Sequence, residues 1–234
     1  MTQPAPGSAR PAPEPVEDGP ALRLALIRTA QATIERGLNV NKSGNVSARC
    51  VHGGTEGLLI TPTAIAYGEL EPGDLVFIRL DDGRCSGARA PSSEWHFHAD
   101  ILRARPEFGA IVHTHSPATT ALSCHGLGLP AFHYMVAVCG GPDVRCARYA
   151  TFGTQQLSDH AVAALKDRKA CLLQNHGAIG CGTDLADALA IAQEVEHLAH
   201  IYLLARQLGE PPGLEEAEMR RVVEKFRTSY GQRT

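Results

Sequence analysis

GAIVHTH (Gly109–His115) and ACLLQNHG (Ala170–Gly177) are short apolar runs rich in β-formers, each ending in a polar cluster that contains histidine. Runs of this length fit buried strands of a sheet better than helices. Around them GNVSAR (Gly44–Arg49), GLLIT (Gly57–Thr61) and DLVFIRL (Asp74–Leu80) read as further strands, separated by Gly, Pro and Asp, and a segment near Ala131–Val138 as another. Helical spacing predicts a helix over Ala21–Arg36 that closes at Gly37, and one over Pro91–Arg105 capped by Ser92 or Ser93. A short helix follows Pro117, and another runs from about Thr154 to Lys166. A long Ala/Leu-rich helix opens at Thr183 or Asp184 and reaches about Leu208; an amphipathic one covers Leu214–Phe226. Strands and helices alternate irregularly, with hairpin-length gaps early on. That order predicts one α/β domain with helices on both faces of a sheet that is at least partly antiparallel, not strict βαβ winding.

Composition narrows the function. The chain has 234 residues, 44% hydrophobic and 20% charged, enough for one sizeable domain and unlike a wholly disordered chain. A net charge of −3 provides no global positive field for nucleic acid or anionic lipid, and no basic patch or aromatic platform stands out. No apolar run approaches the ~20 residues of a membrane span. Seven cysteines without a CxxC pair fit reduced thiols and a cytoplasmic setting better than a disulfide framework. The first twenty residues hold six of the fifteen prolines, three acids and one arginine, with no apolar h-region. They read as a disordered Pro/Ala-rich tail, neither signal nor transit peptide, leaving residues 21–234 as the domain.

The chemistry is expected at the polar ends of the strands. Positions i and i+2 of a strand project from one face, so His113 and His115 can reach one ion. Neutral imidazole is the commonest metal ligand and suits Zn, Fe, Ni or Cu. HxH alone more often marks two partly exposed histidines where a strand meets a loop. His176, just past a second apolar run, adds a third imidazole. Three imidazoles and one carboxylate describe a catalytic site that keeps a position open for substrate, whereas structural zinc sites close with four Cys or His ligands.

The carboxylate candidate is Glu94, in the first turn of a predicted helix after Ser92 and Ser93. An anion is favoured there, either the side chain or a bound phosphate. Ordinary capping accounts for the same residues. Gly44-Asn45 and Thr61-Pro62-Thr63-Ala64 can present N–H and O–H donors to a phosphate, and are equally ordinary turns. Cys124, Cys139, Cys146 and Cys171 read as core or surface thiols, because nothing near them lowers a thiol pKa. His98 lies one turn from Glu94 on the same face. His197 and His200 read as packing or surface residues.

Taken in order, GNVSAR, GLLITPT, PSSEWHFH, IVHTHSP, HYMVAVCGG, YATFGT, LLQNHGAIG and VVEKFRTSYG resemble the class II aldolase/adducin family over about Leu22 to Gly231. The likeness is strongest to its members that act on L-fuculose 1-phosphate. It implies a single three-layer α/β/α domain around a mostly antiparallel sheet, in a cyclic homotetramer with sites between subunits. It implies one divalent metal per subunit on His113, His115 and His176, normally Zn2+, with Mn2+, Co2+ and Fe2+ as alternatives. Glu94 would serve as acid/base and as a further ligand of the empty site. Phosphate contacts would fall on Asn45, Thr63, Ser92 and Ser93 and on the backbone of Gly44 and Ala64. Tyr134 would reach a neighbouring subunit's site, Phe152 would stand at the interface, and Tyr230 would belong to a mobile tail. Ala64 departs from a glycine common in the family, and one extra residue precedes Tyr230.

The implied activity is reversible cleavage of a ketose 1-phosphate to dihydroxyacetone phosphate and an aldehyde. L-Fuculose 1-phosphate and a 5-deoxy- or 5-methylthio-pentulose 1-phosphate are the expected substrates. The metal would act as a Lewis acid, Glu94 would exchange the C3 proton and Tyr134 the proton of the C4 hydroxyl. Epimerases, dehydratases and decarboxylases of the same fold are the alternatives. The epimerases typically carry Asp in place of Glu94. A non-catalytic adducin-like scaffold is the alternative of another class, and such proteins lose the histidines.

Overall fold

Alternation along the apolar strands organises the computed structural model, which describes residues 16–229. The strands are β1 (Asn45–His52), β2 (Thr55–Ile60), β3 (Val76–Arg79), β4 (Cys85–Ser86), β5 (Ala110–Thr114), β6 (Arg145–Ala147), β7 (Ala170–Leu173) and β8 (Gly177–Gly182). They form one sheet in the order β4-β3-β2-β1-β5-β8-β7-β6. Every neighbouring pair is antiparallel except β6 with β7. The helices are α1 (Pro20–Glu35), α2 (Trp95–Ala104), α3 (Pro117–Cys124), α4 (Gln155–Ala164), α5 (Leu185–Arg206) and α6 (Glu216–Thr228).

Leu58, Ile60, Val76, Ile78, Ile111 and Ile179 point to one face, where Phe97 and Ile101 of α2 and Leu157 of α4 cover them. The residues between them point the other way. Leu59, Phe77 and Val112 meet Leu26 and Ile27 of α1 and Ala192 of α5. Further along that face, Leu172 and Ala178 meet Leu122 of α3, Val195 of α5 and Met219 of α6. This period-two division produces the three-layer α/β/α arrangement, with each fully buried Leu or Ile contributing roughly 1.5–3 kcal/mol. It also positions the site. His113 has the parity of Ile111 and so faces the α2 side, directly opposite Asn45 on β1.

Several expected elements change. The apolar segment near Ala131–Val138 is not a strand but a 3-10 helix over Tyr134–Cys139, closed by Gly140 at φ 91°. Short apolar runs do not distinguish the two by pattern. The helix expected from Pro91 starts at Trp95, with Glu94 at its cap position and no side-chain capping bond. Ser92 Oγ instead accepts the Glu94 N–H at 3.3 Å. Strands β4, β6 and β8 carry no clear β signal, and β8, GAIGCG, is glycine-rich for a packing reason. A Cβ on Gly180 would lie 2.8 Å from Ala192 N, and one on Gly182 would collide with Ala188 N. The backbone of α5 thus lies directly on the strand.

Residues 1–15 of the proline-rich segment and Tyr230 lie outside the described residues. Residues ahead of α1 already belong to the body, since Val51 N donates to Val16 O and Asp18 N donates to Val51 O. No described helix is long and apolar enough to cross a membrane.

Candidate metal centre

Glu94, His113, His115 and His176 come together although the first and last are far apart in sequence; one ligand atom from each lies within 4.8 Å of all the others. Each arrives by a different local device. β5 delivers His113, and His115 follows just past the strand end, their Nε2 atoms 2.9 Å apart. His176 sits in the turn between β7 and β8, where Asn175 takes the left-handed conformation at φ 55°. The next residue must be glycine, because a Cβ on Gly177 would collide with Thr114 O. Glu94 comes from the start of α2, its Oε2 at 3.2 Å from His113 Nε2 and its Oε1 at 3.2 Å from His176 Nε2.

The electrostatics suit a cation. Burial pushes His115 down to about 3 and His176 to about 4, so both imidazoles are neutral and carry lone pairs. Burial by itself would raise the Glu94 pKa, but His113, His176 and the Asn45 amide outweigh it and hold the carboxyl below the ordinary range. Glu94 Oε1 is buried and, among the described residues, accepts no hydrogen bond. A buried anionic oxygen without a hydrogen-bond partner among the described residues, together with three converging imidazoles, matches the donor set of a divalent transition ion.

A supporting shell holds these groups. His113 Nδ1 donates to Ala178 O at 2.9 Å, which leaves Nε2 for the centre. Asn39 straddles the HTH segment: its Oδ1 accepts from His115 N at 2.8 Å and its Nδ2 donates to His113 O at 3.3 Å. Gly44, at φ 74°, lies against this clamp, where a Cβ would be 2.5 Å from His113 O. Asn45 Nδ2 donates to Glu94 Oε2 at 2.9 Å, its Oδ1 contacts His98 Nε2, and His98 Nδ1 contacts Ser47 Oγ at 2.7 Å. Sequence reading assigned neither Asn39 nor His98 a role. The only signal for His98 was its one-turn spacing from Glu94.

Gly44, Asn45, Thr63, Ala64, Ser92, Ser93 and Phe152 line one cleft of about 360 Å³ with Glu94, His115 and His176. Ala64 there has φ 61°, the conformation for which glycine is preferred. Lys42 and Tyr149 line the same cleft and were not anticipated. Tyr134 does not join it. Half-exposed, it stands against α6 beside Glu218, Val222 and Lys225. The cysteines stay outside the chemistry. Burial raises Cys50 and Cys139 to about 12 and Cys146 to about 11, and pushes Cys171 well up too. His197 and His200 are exposed on α5.

Known proteins share this architecture. The profile of the Class II Aldolase and Adducin N-terminal domain matches residues 24–203. A 5-methylthioribulose-1-phosphate/5-deoxyribulose-1-phosphate aldolase from Rhodospirillum rubrum is 51% identical over 211 residues, which are 90% of this chain and 93% of that one. An L-fuculose phosphate aldolase from Escherichia coli is 45% identical over 213 residues, 91% of this chain and 96% of the relative. A solved structure of L-fuculose 1-phosphate aldolase matches with a TM-score of 0.85 at 38% identity, covering 89% of this chain and 97% of the other. With its fold, its cluster of histidines around one glutamate and these matches in agreement, the chain belongs to the class II aldolase and adducin family.

Proposed function

We propose that this chain is a divalent-metal-dependent aldehyde-lyase that reversibly splits a ketose 1-phosphate between C3 and C4 into dihydroxyacetone phosphate and an aldehyde. The observation that carries the reading is the convergence of Glu94 Oε1, without a hydrogen-bond donor among the described residues, with three imidazoles beside one cleft. An adducin-like scaffold would have no need of that arrangement. A divalent ion on these four residues supplies a Lewis acid, worth several kcal/mol, for the charge that develops beside the C2 carbonyl. Zinc fits a site of three imidazoles and a carboxylate.

The residues divide the remaining work. Ser92, Ser93 and Thr63 offer hydroxyls, Gly44 and Ala64 backbone N–H groups and Lys42 an ammonium to the phosphate, which orients the reacting carbons from a distance. Glu94 Oε2 is held by Asn45, so Oε1 is the oxygen that holds the C3 proton and returns it. Tyr134, which does not line the cleft of its own chain, would serve a neighbouring subunit of a homotetramer by exchanging the C4 hydroxyl proton. Phe152, 65% exposed at the rim, would be covered in such an assembly, and the cytoplasm is the expected compartment. The 51% identical relative favours a 5-methylthio- or 5-deoxy-pentulose 1-phosphate ahead of L-fuculose 1-phosphate.

The test is a panel of ketose 1-phosphates given to protein loaded with Zn2+, scoring released dihydroxyacetone phosphate and bound metal. About one ion per chain and release from at least one substrate are expected, with C3 proton exchange lost in Glu94→Gln. Stoichiometric metal without release from any substrate overturns the reading.

A further inference from the structure

Ser47, His98, Asn45 and Glu94 form a continuous chain of hydrogen bonds on the inner face of α2. All four are buried, and His98 and Ser47 are wholly so. The polarity of the chain is forced from one end. An ionised carboxylate only accepts, so the Asn45 amide must turn its NH2 to Glu94 Oε2. That leaves Asn45 Oδ1, an acceptor, facing His98 Nε2, which must therefore carry the imidazole proton. The ring is wholly buried and burial keeps it neutral, so His98 Nδ1 carries none and Ser47 Oγ donates to it.

We infer that His98 and Ser47 are positioning residues for Glu94, locking the Asn45 amide in the one orientation that holds the carboxylate by Oε2 and leaves Oε1 free. The inference rests on the aldolase reading for what Oε1 does, though not for the state of the chain itself. It gives Asn45 a task beyond the expected phosphate contact, since each end of its amide already makes a hydrogen bond within the protein. Without a donor on His98, the Asn45 carbonyl is left buried and unpaired and the amide gains from turning over. Its oxygen would then face Glu94 and repel it. His98 belongs neither to the cleft lining nor to the ligand group, and its hydrogen-bonded path to Glu94 runs through Asn45. Phe97 stacks on it from one side, leaving the ring little room to reorient.

The experiment uses the full chain, with and without Zn2+, in two readouts. Imidazole nitrogen NMR should find His98 in the single Nε2–H tautomer in wild type and mixed in Ser47→Ala. Exchange of the C3 proton of dihydroxyacetone phosphate should fall ten- to a hundredfold in His98→Phe, and less in Ser47→Ala, with KM and bound metal near wild type. A purely structural His98 would change the melting temperature and leave exchange per folded, metal-loaded molecule unaltered. An Nδ1–H tautomer in wild type, or wild-type exchange in either folded variant, overturns the inference. Should His98→Phe not fold, Ser47→Ala and the wild-type spectrum still decide. If wild type exchanges no proton, the aldolase reading fails while the tautomer result stands by itself.

Discussion

His113 Nδ1 donates to the carbonyl of Ala178 on the adjacent strand, and this bond selects which ring nitrogen faces Glu94 and the other imidazoles. The histidine thereby offers a ligand atom by virtue of the sheet register that pairs β5 with β8, in which His113 lies opposite Ile179. A bound ion should stabilise the fold through that anchored nitrogen. At a thousandfold excess over its dissociation constant the stabilisation is about 4 kcal/mol. Thermal scans with chelator and with Zn2+ should therefore differ by several degrees in wild type and coincide in His113→Ala. An equal metal-dependent shift in both proteins would remove His113 from the ligand set.

Gly44 tests the clamp behind the histidines. Its φ of 74° is unfavourable for any other residue, and an added Cβ would meet both the Asn39 amide and His113 O. These are backbone and tightly held atoms, so nothing moves aside cheaply. Gly44→Ala should cost about 1–3 kcal/mol in urea unfolding and lower zinc affinity, because Asn39 also holds His115 N. Unchanged stability would show that the loop has slack that the close approach does not suggest.

The candidate ligands were legible because chemistry of that kind leaves a local mark: HxH at a strand end, NHG after an apolar run, Ser-Ser-Glu before a helix. The supporting residues leave none. Asn39 lies in the loop after α1, 74 residues from the His113 carbonyl it holds, and His98 reads as one more helix position until β1 is packed beneath it. Strand β8 was hidden for a related reason. Its glycines follow the approach of α5, a demand of tertiary packing that opposes β propensity. The segment before Cys139 shows the reverse, an apolar run whose composition suits a strand but which closes as a 3-10 turn at Gly140.

Ala64 gives a prediction of opposite sign. It lines the cleft with φ 61°, where an L side chain costs ~1–2 kcal/mol relative to glycine. Glycine also loses more freedom on folding, which returns part of that gain. Ala64→Gly should stabilise the protein by roughly 0.5–1 kcal/mol and leave KM for a ketose 1-phosphate unchanged or lower. The check is a denaturant midpoint at constant slope together with KM. A destabilised variant would mean that the methyl group contributes packing that exceeds the strain.

Asp18 supplies the pH dependence. Its side chain is buried against Arg23, with bonds of 2.6 and 2.7 Å, and against His52 Nδ1 at 2.8 Å, fastening the start of α1 to β1. Burial tends to raise its pKa, but the Arg23 guanidinium, aided by His52, holds the carboxyl below the usual range. A carboxylate whose pKa is lower folded than unfolded stabilises the fold above its unfolded pKa, about 3.9, and the benefit disappears as pH falls through the folded value. Asp18→Asn should therefore cost about 1–3 kcal/mol near neutrality, mostly from leaving Arg23 partly unpaired. Melting temperatures of the two proteins should converge as the pH drops below about 4. A gap that stays constant down to pH 3 would mean that packing of the side chain, and not its charge, holds this segment to the sheet.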